Sequence, residues 1–264
     1  MSALDKSRVR AAFSRSAGAY DRRAELQREV AERAEHLALE AVAAPRRVLD
    51  VGCGTGTLLG ALAARLPGLA AAGVDLAPGM ARLARARVPA AALAAADAEA
   101  LPFRAGAFDL VLSTSTLQWI PDVGRALAEV RRVLAPGGTF CLAVFCGETL
   151  RELREAWREA LPRDVPPATH RFPAPSEVRV ALQRAGLAPV RFDVEVRVRR
   201  HPSVRDLLES LRSIGAGNAV RGRREGLGMR RAVLEMIRVY EERHGWEGHI
   251  PATWEIAYAV ARRA

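Results

Sequence analysis

Val48-Leu49-Asp50-Val51-Gly52-Cys53-Gly54-Thr55-Gly56 runs from an apolar segment through an acid into a glycine-rich turn. An apolar run of this kind reads as a strand covered on both faces of a parallel sheet. The glycines let the backbone that follows come close to a ligand with no Cβ in the way. From Thr57 onward, Leu58, Leu59, Leu62 and Leu66 recur at helical spacing, so the turn lies at a strand-to-helix junction. In an open α/β sheet that junction is the ligand crevice.

The spacing also excludes. A dinucleotide fingerprint needs a third small residue at position 57, where Thr57 stands, and the pattern here is G-x-G-x-G. Asp50, just before the glycines, would repel a pyrophosphate and attract a cation. S-adenosylmethionine carries an ammonium and a sulfonium and matches that sign. A glycine turn alone is weak evidence, since an ordinary β-to-α loop uses one too.

Two further acids strengthen the reading. Ala71-Ala72-Gly73-Val74-Asp75-Leu76 is a second apolar run closing on an acid, and Asp75 suits a carboxylate that accepts both hydroxyls of a ribose. A third run, 91 to 96, ends at Asp97-Ala98-Glu99, which puts a carboxylate where an adenine amino group could donate. Each acid alone would suit a solvated strand end or a helix cap. Three in order, at the ends of three successive predicted strands, make a coherent cofactor site.

On these residues the chain resembles the class I S-adenosylmethionine-dependent methyltransferases. Phe108-Asp109-Leu110-Val111-Leu112-Ser113 looks like the family's fourth strand, and Arg131-Arg132-Val133-Leu134-Ala135-Pro136-Gly137-Gly138 looks like the turn before its fifth. The resemblance implies an α/β, Rossmann-like fold: a seven-stranded, mostly parallel sheet with an antiparallel edge strand and helices on both faces. It implies that Gly52, Gly54 and Gly56 pass the methionine moiety and that Asp50 holds the ammonium. Asp75 and Leu76 would lie at the ribose, Asp97 and Ala98 at the adenine, and Ser113 beside the cofactor.

Composition sets the remaining bounds. A chain of 264 residues, 50% of them hydrophobic, can bury one large core and needs no second domain. The opening Met1-Ser2-Ala3-Leu4-Asp5-Lys6 lacks the basic-then-apolar shape of a signal peptide, and no apolar run is long enough to span a bilayer, which points to a cytoplasmic protein. Cys53, Cys141 and Cys146 are odd in number and suit reduced thiols. The five histidines show no ligand spacing, so no metal site is expected. The net charge of +10 is carried by arginine, Lys6 being the lone lysine, and favours acidic partners.

Coarse periodicity predicts one domain over 1–264 with three parts: an N-terminal helical lid at 1–44, a core at 45–200 and 249–264, and a helical cap inserted at 201–248. Within the core, helices are expected near 57–66, 78–87, 122–134 and 175–185. Pro136-Gly137-Gly138 reads as a stop before a fifth strand from Thr139 to Phe145. Val190 to Val198 alternates and reads as a strand with one exposed face, and Ala252 to Tyr258 reads as the last strand.

Subtraction narrows the methyl acceptor. Ser113-Thr114-Ser115-Thr116-Leu117-Gln118-Trp119 lacks the proline-bearing turn of amino methyltransferases acting on DNA, and no cysteine follows a proline, as cytosine C5 chemistry usually requires. A carboxylate acceptor asks less of a protein, being already ionised at neutral pH with a reference pKa of about 4. It needs alignment, selection and exclusion of water.

A second resemblance covers nearly the whole chain. Phe13-Ser14-Arg15-Ser16-Ala17-Gly18-Ala19-Tyr20-Asp21, Leu117-Gln118-Trp119, Thr149-Leu150-Arg151-Glu152-Leu153, His170-Arg171-Phe172, Ser210-Leu211-Arg212-Ser213-Ile214 and Pro251-Ala252-Thr253-Trp254-Glu255 look like the biotin-pathway malonyl-acyl-carrier-protein O-methyltransferases. It implies methylation of the free carboxylate of a malonyl thioester, with Tyr20, Gln118 and Trp119 walling the transfer pocket and Arg171 and Arg212 meeting the carboxylate. Arg197, Arg199, Arg200, Arg205, Arg221, Arg223, Arg224, Arg230 and Arg231 would dock the acidic carrier protein. The competing readings are methylation of a small free acid such as aconitate, a nucleic-acid methyltransferase supported by the basic charge, and an idle cofactor-binding protein.

Overall fold

The computed structural model describes residues 4–42, 44–161, 171–216 and 227–264. Its centre is β1 (Arg47–Val51), the apolar run read above. β2 (Ala70–Asp75) and β4 (Phe108–Thr114) flank it in parallel, β3 (Ala92–Ala95) adds beyond β2, and β5 (Leu134–Phe145) adds beyond β4. The sheet is completed by β7 (Ile250–Arg263) and β6 (Leu187–His201), in the order β3-β2-β1-β4-β5-β7-β6.

The expected seven strands are present, with one correction. The antiparallel strand is β7, which pairs antiparallel to both β5 and β6 and so lies one place in from the edge. β6 arrives by a helical crossover and runs parallel to the others. The chain then leaves the sheet, forms two helices, and returns between β5 and β6.

Alternation along the strands sorts the core into two layers. Val48, Leu110, Leu112, Cys141, Ala143, Ile256, Tyr258 and Val260 face α2 (Glu25–Ala41), α6 (Arg151–Ala160), α8 (Val204–Ser213) and α9 (Leu227–His244). Leu49, Val51, Val111, Phe140, Leu142, Ala257 and Ala259 face α5 (Val123–Val133) and α7 (Pro175–Arg184). Residues of the inserted helices, Leu207, Leu211 and Met236 among them, share the first cluster with the sheet. Burying a leucine of this kind contributes roughly 1.5–3 kcal/mol. β2 is built of small residues because α3 (Thr57–Arg65) packs directly on it: a Cβ at Gly73 would come within 2.7 Å of the Leu59 side chain.

The expected stop at Pro136-Gly137-Gly138 is instead a bulge inside β5. Phe108 pairs with Leu134 and Leu110 with Thr139, so the intervening residues loop out while pairing continues on both sides, with Gly137 at φ +71°. The exposed face of β6 carries its valines: Val190, Val194, Val196 and Val198 face outward. The intervening charged residues turn toward α2, where Arg197 reaches Glu29 at 2.6 Å and Arg199 reaches Glu25 at 3.1 Å. Opposite charge on the neighbouring helix selects which side of this strand is covered.

Among the described residues no helix is long and apolar enough to cross a membrane, and no group of three or more His, Cys, Asp or Glu side chains could hold a metal ion.

Candidate active site

The strand-end acids converge as the sequence requires. Asp50, next to the end of β1, is 1% exposed, and its Oδ1 finds no hydrogen-bond donor among the described residues. Burial, with the charge of Asp75 added, pushes its carboxyl up to about 7. Leaving a buried acceptor unsatisfied costs about 1–3 kcal/mol, so this atom has room for a donor that the described residues do not supply.

Asp75, at the end of β2, accepts from Gly54 N–H at 3.0 Å and from Ala77 N–H at 2.8 Å. Burial raises its carboxyl to about 6 against those two hydrogen bonds. Each oxygen holds one backbone N–H and keeps further acceptor capacity toward the cavity that Asp75 lines.

Two of the three glycines need to be glycine for steric reasons. A Cβ at Gly52, where φ is +81°, would lie 2.0 Å from the Thr116 hydroxyl, and one at Gly56 would lie 2.9 Å from the Ala84 backbone. At Gly54 a Cβ would meet nothing within 4 Å: its φ of +55° and the open space beside it fit a backbone that faces a ligand.

Gly52, Gly54 and Asp75 line one cleft together with Tyr20 and Trp119. Leu76, Asp97 and Ala98 line it. Asp97 is also engaged by Lys6, whose Nζ lies 2.6 Å from Asp97 and 2.8 Å from Glu99. Partial burial would raise the Asp97 carboxyl, but the hydrogen bonds from Lys6 and from Glu99 N–H hold it below the usual range.

Lys6 opens α1 (Lys6–Arg23), the helix that spans the cavity. At the far end of the same helix, Asp21 accepts from Thr55 Oγ1 and from Arg87, both at 2.6 Å, which ties α1 to the glycine turn. Sequence reasoning missed Lys6 in this role, although its being the lone lysine of the chain was a signal.

A connected cavity of about 1050 Å³ extends from the first along Gly52 and Gly54 to Asp50. A further one, of about 580 Å³, lies beyond Phe13 and Trp119, whose rings meet edge-on at 5.5 Å. Tyr20 and Ser115 line all three. Burial and the nearby Asp75 and Asp21 charges raise the Tyr20 phenol, which keeps its proton and remains a donor. Ser115 stands at φ +53°, a left-handed backbone rare for serine, and its hydroxyl is buried with no partner among the described residues. This residue went unnoticed in the sequence, where nothing distinguishes it from its neighbours.

Gln118 and Trp119 line the third cavity, Gln118 at 6% exposure. Three other expected site residues lie away from the described cavities. The Ser113 hydroxyl donates to the Val51 carbonyl at 2.9 Å, so it joins β4 to β1, and it lines none of the described cavities. Arg171 is exposed and pairs with Glu177 at 2.7 Å, next to the start of α7. Arg212 is exposed and donates to the Leu208 carbonyl of its own helix. Neither arginine lines a described cavity.

The basic cap is likewise divided: Arg197 and Arg199 pair with Glu29 and Glu25, while Arg200, Arg205, Arg230 and Arg231 are exposed. Arg221, Arg223 and Arg224 lie outside the described residues.

The fold and this cavity define a class I S-adenosylmethionine-dependent methyltransferase. The family described as "Methyltransferase domain" matches residues 49–142. A malonyl-[acyl-carrier protein] O-methyltransferase of Geobacter sulfurreducens is 47% identical over 98% of this chain and 100% of its own length, and one of Laribacter hongkongensis is 40% identical over 98% and 90%. The chain belongs to the malonyl-[acyl-carrier protein] O-methyltransferase family.

Solved structures share the fold at low identity. The YcgJ protein of Bacillus subtilis is 17% identical with a TM-score of 0.62, covering 88% of this chain and 98% of that one. A geranyl diphosphate C-methyltransferase of Streptomyces coelicolor A3(2), solved with S-adenosyl-L-homocysteine, is 15% identical with a TM-score of 0.53, covering 87% and 78%.

Proposed function

We propose that this chain transfers the methyl group of S-adenosylmethionine to the free carboxylate of malonyl-acyl-carrier protein, giving the methyl ester that leads toward the pimeloyl precursor of biotin. The observation that carries the reading is the full-length likeness to relatives of that name, in a chain whose cofactor cavity opens at Tyr20 and Ser115 onto a second, largely apolar one.

Asp50 is suited to the ammonium of the methionine moiety, Asp75 to the ribose hydroxyls, and Asp97 with Ala98 to the adenine edge. The orphaned Asp50 Oδ1 and the open side of Gly54 fit such a ligand. When bound, S-adenosylmethionine supplies an electrophilic methyl: the acceptor oxygen forms the new C–O bond as the C–S bond breaks and its electron pair returns to sulfur. No proton moves and no general base is required, since the carboxylate enters ionised. Tyr20, Phe13 and Trp119 exclude water between the cavities, and the phenol of Tyr20 remains a donor at their junction. The exposed Arg200, Arg205, Arg230 and Arg231 offer the acidic carrier protein a complementary face.

The test incubates the protein and S-adenosylmethionine separately with malonyl-carrier protein, malonyl-CoA, free malonate, trans-aconitate and tRNA, and reads methyl gain by mass spectrometry. Ester formation on the malonyl thioesters is expected. Methylation confined to aconitate or to tRNA overturns the reading.

A further inference from the structure

The reading above requires an anion to sit next to the transferred methyl, yet the cavity beyond Phe13 and Trp119 is lined by no lysine, arginine, aspartate or glutamate among the described residues. Three of the residues that line it, Ser115, Gln118 and Trp254, each have a buried polar atom with no partner among the described residues: Oγ, Oε1 and Nε1. Trp254 and Gln118 are 7% and 6% exposed. An indole N–H is a donor only and a hydroxyl can turn to donate. A half-turn about the last side-chain bond of Gln118 presents its NH₂ group. All three positions can therefore supply donors, and a carboxylate offers only acceptors.

We propose that the acceptor carboxylate is held by neutral hydrogen-bond donors, Trp254 Nε1–H, Ser115 Oγ–H and the Gln118 amide, and not by an arginine. The inference rests on the functional reading given above. Its physical advantage lies in what happens to the charge. As the carboxylate oxygen takes the methyl, its negative charge is neutralised, and a guanidinium paired with it would lose its partner and deepen the ground state more than the transition state. Neutral donors hold and orient the anion but lose less as it becomes an ester. The attraction that draws the anion in comes from the cationic cofactor itself.

The chain fixes Trp254 from both sides. The neighbouring Thr253 donates its backbone N–H to the buried Glu152 carboxylate at 3.0 Å, and Glu255 N–H donates to Thr149 Oγ1 at 3.2 Å. The Trp254 ring itself packs on Phe145 with centroids 5.3 Å apart. Two stretches that carry the resemblance, Thr149 to Leu153 and Pro251 to Glu255, thus act as a clamp on one indole.

The test reads binding as well as turnover. With S-adenosylhomocysteine present, ¹⁵N-labelled wild-type protein is titrated with malonyl-carrier protein and, separately, acetyl-carrier protein. The Trp254 indole signal is assigned as the one missing from W254F. It is expected to move downfield with the malonyl substrate and to stay with the acetyl one.

In W254F and in S115A, the preference for malonyl over acetyl should fall by about tenfold or more, as loss of one hydrogen bond to a charged group implies. S115A keeps a Cβ at the same left-handed position and so tests the hydroxyl alone. An unmoved indole signal, or variants that weaken both ligands alike, overturns the neutral cradle while leaving the functional reading intact. If wild-type protein neither binds nor methylates malonyl-carrier protein, the functional reading fails, and this inference with it.

Discussion

The two sides of the site that meet at Tyr20 and Ser115 are built from opposite chemistry. On one side stand Asp50, Asp75 and Asp97, three carboxylates at the ends of three successive strands. On the other, helix α1, the turn after β4, the end of β5, α8 and β7 contribute aromatic, aliphatic and neutral polar groups and no described charge. A ligand with a permanent positive charge calls for fixed anions. An acceptor whose charge disappears during the reaction is better served by dipoles. The proposed methyl transfer would account for this difference in charge between the two sides.

The first way to break this comparison is to remove an anion from the charged side. Asp75→Ala deletes the carboxylate suited to both ribose hydroxyls and also frees the N–H groups of Gly54 and Ala77 that shape the turn. Calorimetric affinity for S-adenosylmethionine should fall by about a hundredfold or more, two hydrogen bonds to a charged group being lost together. Unchanged affinity would show that Asp75 does not serve the ribose.

Asp50→Asn separates binding from stability. With burial holding the Asp50 carboxyl at about 7, well above its unfolded value near ~4, the group's contribution to stability is fully present below the unfolded value and is lost as pH rises through the folded one. The ligand-free variant should therefore exceed the wild type by about 1–3 kcal/mol at pH 8, with the gap closing toward pH 5, as read by urea unfolding. Its affinity for the cofactor should drop by about tenfold or more. A variant destabilised at pH 8 would mean that Asp50 is satisfied in the ligand-free protein.

The same two carboxyls set a pH profile. An ammonium is bound by the ionised form, and Asp50 and Asp75 titrate at about 7 and about 6, so cofactor affinity should rise from pH 5.5 to 7.5. The slope is up to about tenfold per pH unit for each proton released. In Asp50→Asn the rise should flatten and shift toward the lower value. A flat profile in the wild-type protein would remove the ammonium from Asp50.

How much of this was legible follows from how each side is encoded. The cofactor side is local: strand, acid and glycine turn lie within one short run, and the two later acids follow apolar runs in the same way, so the sequence pattern singled out Asp50, Asp75 and Asp97 near the ends of successive strands. The acceptor side is assembled from Phe13 to Trp254, and only the fold brings those residues together. Ser115 was hidden because its distinguishing property is a positive φ, which a serine in a sequence does not announce. β7 read as a plausible last strand, but its place inside the sheet depended on pairing between segments far apart. The alternation of β6 was visible, whereas the side it covers depended on the glutamates of α2.

The smallest expected effect is also the sharpest for the comparison. Sequence resemblance made Arg171 and Arg212 the natural carboxylate ligands, and an anionic substrate invites that expectation. In the structure, Arg171 pairs with Glu177, whose carboxylate also accepts the Ala174 N–H, and Arg212 returns to its own helix at Leu208. Exposed ion pairs of this kind contribute about 0–1 kcal/mol. Arg171→Ala and Arg212→Ala should each leave kcat/KM for malonyl-carrier protein within about threefold of wild type, and Arg171→Ala should lower thermal stability slightly by loosening the start of α7. A hundredfold loss of kcat/KM in either variant, with cofactor affinity intact, would bring a cation to the acceptor. The distinction between a charged cofactor side and a neutral acceptor side would then fall.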